Sequence, residues 1–277
     1  MTALAVDCQK LSVRYGSVQA VDELSFSFAP GELFGLLGPN GAGKSSVLSV
    51  LCTLRKPSAG EVRVAGYDVQ KEARAVRKHI GVIFQDVTLD DRLSGRENLE
   101  LHARIWGIDP AHRRARLQEA IELCDLASAI DRQTRTYSGG MKRRLELARV
   151  LVHQPRILFL DEPTAGLDAQ TRRHLWQHLQ TLRQEHGLSV LLTTHYLEEA
   201  EQADRVAIID RGRLIALGSP DEIAAQVPPA TTPPPPRGRL EEAYVHLVGR
   251  DLREEEAGTR DRLRDALQRK GRGGKLR

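Results

Sequence analysis

Eight consecutive residues, Gly38-Pro39-Asn40-Gly41-Ala42-Gly43-Lys44-Ser45, hold the most specific chemistry in this chain. They satisfy G-x-x-x-x-G-K-[ST] in full. The apolar run Phe34-Gly35-Leu36-Leu37 leads in, and a helix-periodic stretch from Lys44 to Leu54 leads out. In that context the glycines let successive backbone N–H groups wrap phosphates. Lys44 sets a point charge against the outer phosphates, and the Ser45 hydroxyl can ligate Mg²⁺. The candidate nucleotide-binding residues here are Gly38, Asn40, Gly41, Gly43, Lys44, Ser45 and Ser46.

A second element ends in two acids. Ile157-Leu158-Phe159-Leu160 reads as a buried strand, and Asp161 and Glu162 follow it. Asp161 suits Mg²⁺, held through water, and Glu162 suits general-base work on an attacking water. Gln85 follows the strand candidate Ile80–Phe84 and could ligate Mg²⁺ or sense a terminal phosphate. His195 follows Val190–Thr194 and could hydrogen-bond that phosphate. Tyr15 could stack on a base, although a strand tyrosine also serves packing.

A third stretch, Tyr137-Ser138-Gly139-Gly140-Met141, opens a basic, helix-periodic run. Small residues, a hydroxyl and the unpaired N–H groups of a helix start make an anion site, and Ser138 would also cap the helix. The chain thus carries two phosphate sites about a hundred residues apart.

Strands must deliver these groups. Alternation marks Leu11, Val13 and Tyr15, then Val21, Leu24, Phe26 and Phe28. Residues 95 to 153 are expected to be helical almost throughout, with breaks near Gly107–Pro110 and Thr134–Gly140. Strand-like runs return at 157–160, 190–193 and 206–209, around a helix near 169–186. Strands alternating with helices predict a mainly parallel α/β sheet with an inserted helical subdomain. The proline-rich stretch 226–239 is expected to be a stiff linker. Beyond it, Leu240, Ala243, Tyr244, Leu247 and Val248 form one apolar helix face that stops at Gly249. Residues 240–277 are expected to form a charged helical tail, partly disordered.

Composition narrows the function classes. Of 277 residues, 40% are hydrophobic and 28% charged, and the net charge is +4. From Arg237 onward lie 12 of the 41 Lys/Arg and 8 of the 37 Asp/Glu, leaving 29 of each. The main body is neutral, so no nucleic-acid partner is expected. No stretch is long and apolar enough to span a bilayer, and the first residues lack signal-peptide character. Cys8, Cys52 and Cys124, odd in number and dispersed, fit reduced thiols of a cytosolic protein.

Together these motifs resemble the nucleotide-binding subunit of an ATP-binding-cassette (ABC) transporter over roughly residues 4–225. Tyr15 resembles the adenine-stacking aromatic, 38–45 the Walker A loop and Gln85 the Q-loop. Residues 137–141 resemble the signature motif, with Tyr for Leu and Met for Gln. Asp161-Glu162 resembles Walker B with its catalytic glutamate, Gly166-Leu167-Asp168 the D-loop, and His195 the switch histidine. The resemblance implies a P-loop NTPase (RecA-like) core, an N-terminal antiparallel β subdomain, and a helical subdomain inserted at about 87–154. It implies Lys44, Glu162 and His195 as catalytic residues and Ser45, Gln85 and Asp161 as metal ligands. It implies Tyr15, Gln85 and Asp168 as further nucleotide-binding residues. Two cassettes would pair head to tail, as a homodimer or with a second cassette, and Ser138, Gly139 and Gly140 would serve the partner's ATP.

A narrower resemblance, to the ABC-2 exporter group with its daunorubicin-resistance-type ATPases, rests on Gln85–Leu99, Met141–Arg144, Thr193–Ala200 and Leu240–Tyr244. It departs at 226–239, where those relatives often carry a small folded stretch. The resemblance implies an ATPase on the cytoplasmic face of the membrane that powers a separate integral membrane permease. Exported drugs or other amphiphilic compounds are the expected cargo. An importer ATPase, or an ABC ATPase acting on nucleic acid or ribosomes, is the alternative. The latter usually has two cassettes or a long coiled coil in one chain.

Overall fold

A computed structural model describes residues 4–227 and 239–249. Most of the proline-rich linker, and the charged tail beyond residue 249, lie outside the described residues. Among the described residues, ten strands form two sheets. The smaller is antiparallel, in the order β2-β1-β4-β5. It comprises β1 (Val6–Tyr15), β2 (Val18–Phe28), β4 (Ala59–Val64) and β5 (Tyr67–Asp68). The larger has the order β10-β9-β3-β8-β7-β6. Its strands are β3 (Leu33–Leu37), β6 (Ile80–Ile83), β7 (Ile157–Asp161), β8 (Ser189–Thr194), β9 (Arg205–Asp210) and β10 (Arg213–Gly218). Neighbours from β9 to β6 are parallel, and β10 closes the edge antiparallel to β9. Every residue of β3 and β8 is buried, as expected where helices or a second sheet cover both faces.

The helices are α1 (Lys44–Leu51), α2 (Ala73–His79), α3 (Gly95–Ile105), α4 (Pro110–Leu123), α5 (Gly139–Leu151), α6 (Ala169–His186), α7 (Leu197–Ala200) and α8 (Pro220–Ala224). Residues 239–249 add a further helix. Its Leu240 and Ala243 are buried in the main core, and Tyr244, Leu247 and Val248 pack against that core. That helix is therefore part of the cassette surface and not a solvated arm. Two clusters form the core. One joins β1, β2, α1 and one face of the large sheet. The other joins the opposite face to α3–α6.

The expected breaks near Gly107–Pro110 and Thr134–Gly140 fall between α3 and α4 and just before α5, but the expectation of helix between them fails at 124–133. Asp125 turns left-handed at φ 49° and ends α4. Leu126, Ala129 and Ile130 repeat helical spacing yet lie outside any helix, and all three are buried. Their periodicity reflects burial, which a compact turn satisfies as well as a helix does. The helix expected to run to Leu54 stops at Leu51, because Thr53 also takes a left-handed backbone at φ 61°.

Cys8, Cys52 and Cys124 are all buried and unbridged. Burial pushes the Cys8 and Cys124 thiols up to about 12, and drives Cys52 up as well. A thiol that stays protonated and shielded is a poor nucleophile. The folded protein is therefore expected to take up no maleimide at pH 8, and to take up three equivalents after unfolding in urea. Mass spectrometry before and after denaturation checks this.

Candidate functional site

Five helices, α3, α4, α5, α6 and α8, begin under a side-chain cap. Helix α1 does not: its N-cap is Gly43, which has no side chain to offer. The first-turn N–H groups of α1 are therefore free of any capping side chain and aimed at the loop 38–43, an arrangement suited to an anion. Gly43 sits at φ 104°, and a Cβ there would lie 2.5 Å from the Ala20 carbonyl. A Cβ on Gly38 would lie 2.2 Å from the Ile209 carbonyl. Both positions exclude any larger residue. Asn40 and Gly41 are exposed on the loop, Ser45 is exposed in the first turn of α1, and Ser46 is half-buried.

Lys44 is 5% exposed. Its ammonium donates to the carbonyls of Gly38 at 2.7 Å and Pro39 at 3.0 Å. It also lies 3.6 Å from Glu162 Oε1. Burial lowers the Lys44 pKa, and the Glu162 and Asp161 carboxylates oppose that shift. The same Glu162 oxygen is 3.2 Å from His195 Nδ1. Three residues, from the start of α1 and the ends of β7 and β8, thus form one chain of charged and polar contacts.

The backbone holds Glu162 at φ 45°, a left-handed conformation that costs a non-glycine residue about 1–3 kcal/mol. Thr193 supports it. The Thr193 hydroxyl donates to Asp161 Oδ1 at 2.6 Å and accepts from the Glu162 N–H at 3.1 Å. Thr193 has no exposed surface. Glu199 lies behind this array, 1% exposed, and accepts from the Thr164 hydroxyl. Burial raises its pKa, and the hydrogen bond from Thr164 works against that rise. Sequence analysis did not single out Thr193 or Glu199 as site residues. The available signal was a pair of threonines closing an otherwise apolar strand and an acid on the following turn.

Gln85 follows β6 and is exposed. Ile83 pairs with Leu160, so Gln85 lies two residues beyond, at the level of Glu162. Ser45, Asp161 and Gln85 supply a hydroxyl, a carboxylate and an amide, all oxygen donors of the kind a hard cation prefers. Among the described residues no group of three or more His, Cys, Asp or Glu could hold a metal ion. One carboxylate beside two neutral oxygen donors fits Mg²⁺, which is usually bound by one or two carboxylates, waters and substrate phosphates. Tyr15 is 41% exposed. Ser46 Oγ donates to its hydroxyl at 3.4 Å, and the Arg55 guanidinium lies 3.9 Å over its ring. The ring therefore stands beside the first turn of α1, with a cation over one face.

Ser138, Gly139 and Gly140 are placed elsewhere. Ser138 caps α5 by accepting from the Met141 N–H at 3.3 Å. Gly139 faces open space. Gly140 packs against α6: a Cβ there would meet Thr171 Cγ2 at 2.5 Å. Asp168 caps α6, accepting from the N–H groups of Gln170 and Thr171 and from the Thr171 hydroxyl. These hydrogen bonds hold the Asp168 carboxyl below the usual carboxylate range. Among the described residues no hydrogen bond or ion pair joins Ser138–Gly140 to Lys44, Glu162 or His195. Tyr137 and Met141 turn inward. The Tyr137 hydroxyl donates to the Ala129 carbonyl at 2.6 Å, and Met141 packs on the main core.

The family model described as ABC transporter matches residues 21–165. A daunorubicin resistance ATP-binding protein of Streptomyces coeruleorubidus is 48% identical over 226 residues, 81% of this chain and 71% of that protein. Nod factor export ATP-binding protein I of Paraburkholderia xenovorans is 44% identical over 226 residues, 81% of this chain and 74% of that protein. Among solved structures, a dimeric post-hydrolysis ATP-binding cassette bound to ADP and Pi aligns with a TM-score of 0.68 and 27% identity. It covers 77% of this chain and 98% of that one.

The two signature glycines are expected to separate by mutation. Gly140→Ala forces a methyl into the stiff side chain of Thr171 and should cost about 1–3 kcal/mol of stability. Gly139→Ala meets nothing and should leave the thermal midpoint unchanged or slightly higher. Thermal denaturation of the two variants, with Gly140→Ala/Thr171→Ser as a partial rescue, checks this.

Proposed function

The chain belongs to the ABC transporter family of ATP-binding proteins, and on that footing we propose that it is the ATP-hydrolysing subunit of an exporter, driving a separate membrane permease. Binding and hydrolysis of ATP follow from the family itself. The observation that carries the catalytic reading is the contact chain Lys44–Glu162–His195 at the mouth of the glycine loop.

In this reading the N–H groups of the loop and the first turn of α1 cradle the phosphates, and Lys44 exchanges its loop carbonyls for phosphate oxygens. Glu162 accepts the proton of the attacking water. His195, beside it, orients the terminal phosphate. Ser45, Asp161 and Gln85 hold Mg²⁺, which when bound offsets phosphate charge. Tyr15 carries the adenine. Two cassettes meet head to tail, and Ser138–Gly140 of each close on the other's nucleotide. What supports this is the position of Ser138–Gly140 against α6, apart from their own chain's Lys44 cluster, together with the dimeric cassette relative. Closure on two nucleotides shifts the chain to the paired state, and hydrolysis releases it.

Export of drugs or other amphiphilic compounds is supported by the names of the two relatives, one given for daunorubicin resistance and one for Nod factor export. Among the described residues no helix is long and apolar enough to cross a membrane, so the crossing falls to the permease. The permease docks beside Gln85, where Phe84 and Val87 are exposed, and along α3, where Leu101 and Ile105 are exposed one turn apart. In this reading the subunit sits on the cytoplasmic face of the membrane.

Glu162→Gln is expected to lower kcat by about 10²–10⁴-fold, the usual contribution of a positioned general base, while ATP binding survives. A malachite-green phosphate assay beside a nucleotide-binding titration checks it, and wild-type turnover in the variant would remove Glu162 from the base role. Ser138→Arg places a cation and bulk where the partner's phosphate is to sit. The homodimeric variant is expected to lose ATP-driven dimerisation, while each chain still binds nucleotide. Light scattering with and without ATP reads this, and an undisturbed dimer would count against the head-to-tail arrangement.

A further inference from the structure

On one side of α5, the buried Arg143 and Glu146 and the half-buried Arg149 form a charged network that reaches the turns behind the phosphate site. Arg143 and Glu146 are 5% and 1% exposed. Arg143 Nε donates to the Pro163 carbonyl at 2.9 Å. Its Nη1 donates to the Phe84 carbonyl at 2.7 Å and to Glu146 Oε2 at 2.9 Å. Glu146 Oε1 accepts from the Thr88 N–H at 2.9 Å and from the Thr88 hydroxyl at 3.3 Å. Arg149 donates to the Thr88 carbonyl at 2.8 Å and lies 3.8 Å from Glu146 Oε1.

The partners identify the role. Phe84 and Thr88 bracket Gln85, and Pro163 directly follows Glu162. The helix that carries the network begins at Ser138–Gly140. One guanidinium therefore ties together three segments: the turn bearing the candidate metal ligand, the turn bearing the general base, and the helix presenting the small-residue motif. Only the last of these would act on a second chain.

We infer that Arg143 and Glu146 are positioning residues that couple each cassette's own nucleotide site to the motif it presents to its partner. Two buried charges must keep all their partners, because each loss leaves a charge without compensation. The Phe84–Thr88 turn, the Glu162–Pro163 turn and α5 consequently move as one body. When nucleotide shifts Gln85 or Glu162, the angle of α5 shifts with them. Apolar packing in the same place would allow the segments to slide, since it has no fixed direction. The inference rests on the head-to-tail reading above for the meaning of its output.

The test uses the full-length protein and two variants. Glu146→Gln keeps the shape of the side chain and removes its charge from Arg143 and Arg149. Thr88→Val removes a hydroxyl at the exposed end and leaves the Thr88 N–H bond possible. For both, affinity for a fluorescent ATP analogue is expected to stay within about twofold of wild type. For Glu146→Gln, kcat is expected to fall about tenfold. Placed in the Glu162→Gln background, it should need about tenfold more ATP to dimerise. Thr88→Val should show the same pattern at about threefold. A purely structural role would lower thermal midpoint, nucleotide affinity and kcat together, and that result overturns the inference. Unchanged kcat in folded Glu146→Gln also overturns it. If Glu146→Gln does not fold, Thr88→Val decides alone, and wild-type kcat there overturns it. If Glu162→Gln by itself gives no ATP-driven dimer, the head-to-tail reading falls, and the split between kcat and affinity still decides the coupling.

Discussion

The register between β7 and β8, with β3 on the other side of β8, is the constraint on which the site depends. Asp161 pairs with Thr193, and Leu37 pairs with Thr194. Each strand then ends within a residue or two of its neighbour, so Gly38, Glu162 and His195 leave the sheet at one level. The Gly38 N–H donates to the Thr194 carbonyl at 3.2 Å and fastens the start of the loop to that edge. A slip of one residue would send every side chain of the moved strand to the opposite face. It would bury the Asp161 carboxylate and take Thr193 away from Glu162. Side chains of β3 and β8 are buried on both faces, and Thr193 and Thr194 of β8 are polar groups that a slip would part from their hydrogen-bond partners.

Charge at that edge is then balanced locally. An ammonium as buried as Lys44 cannot stand alone, since breaking a buried pair costs about 3–5 kcal/mol. Two loop carbonyls and the Glu162 carboxylate share that duty, and all three are groups a phosphate could displace. The strained backbone at Glu162 belongs to the same design. Strain of that kind persists only where the surroundings over-determine it. Here the Glu162 N–H donates to both the carbonyl and the hydroxyl of Thr193, and Arg143 holds the next carbonyl.

Several residues combine structural and chemical duties. Ser138 caps α5, and Asp168 caps α6. Gly140 lets those two helix starts meet, while Gly139 stays open. The caps leave part of each helix start available to an outside partner, because a cap satisfies only one or two of the first four N–H groups. The Tyr-for-Leu change at 137 is absorbed by a hydrogen bond to Ala129, and Gly95 makes room for the hydroxyl. The Met-for-Gln change at 141 puts an apolar side chain against an apolar core.

Much of this molecule was legible in its residues alone. Glycine spacing before Lys44, apolar runs ending in Asp161-Glu162 and in His195, and the alternation of strand and helix depend on local rules. A phosphate loop needs its glycines wherever it sits, and a buried parallel strand is apolar along its whole length. The helix at 239–249 was readable from the period of its apolar face, because that period survives whatever the face packs on. What required the tertiary structure were relations between distant segments. The segment 124–133 mimics a helix, since burial imposes similar spacing on both. Thr193 holds Asp161 and Glu162 from 32 and 31 residues away, and Arg143 reaches Phe84 and Pro163 across 59 and 20. Arg55 lies over Tyr15 from forty positions away in the chain. No local pattern encodes such contacts, because a hydrogen bond or a buried charge is satisfied by geometry in space and is indifferent to separation along the chain.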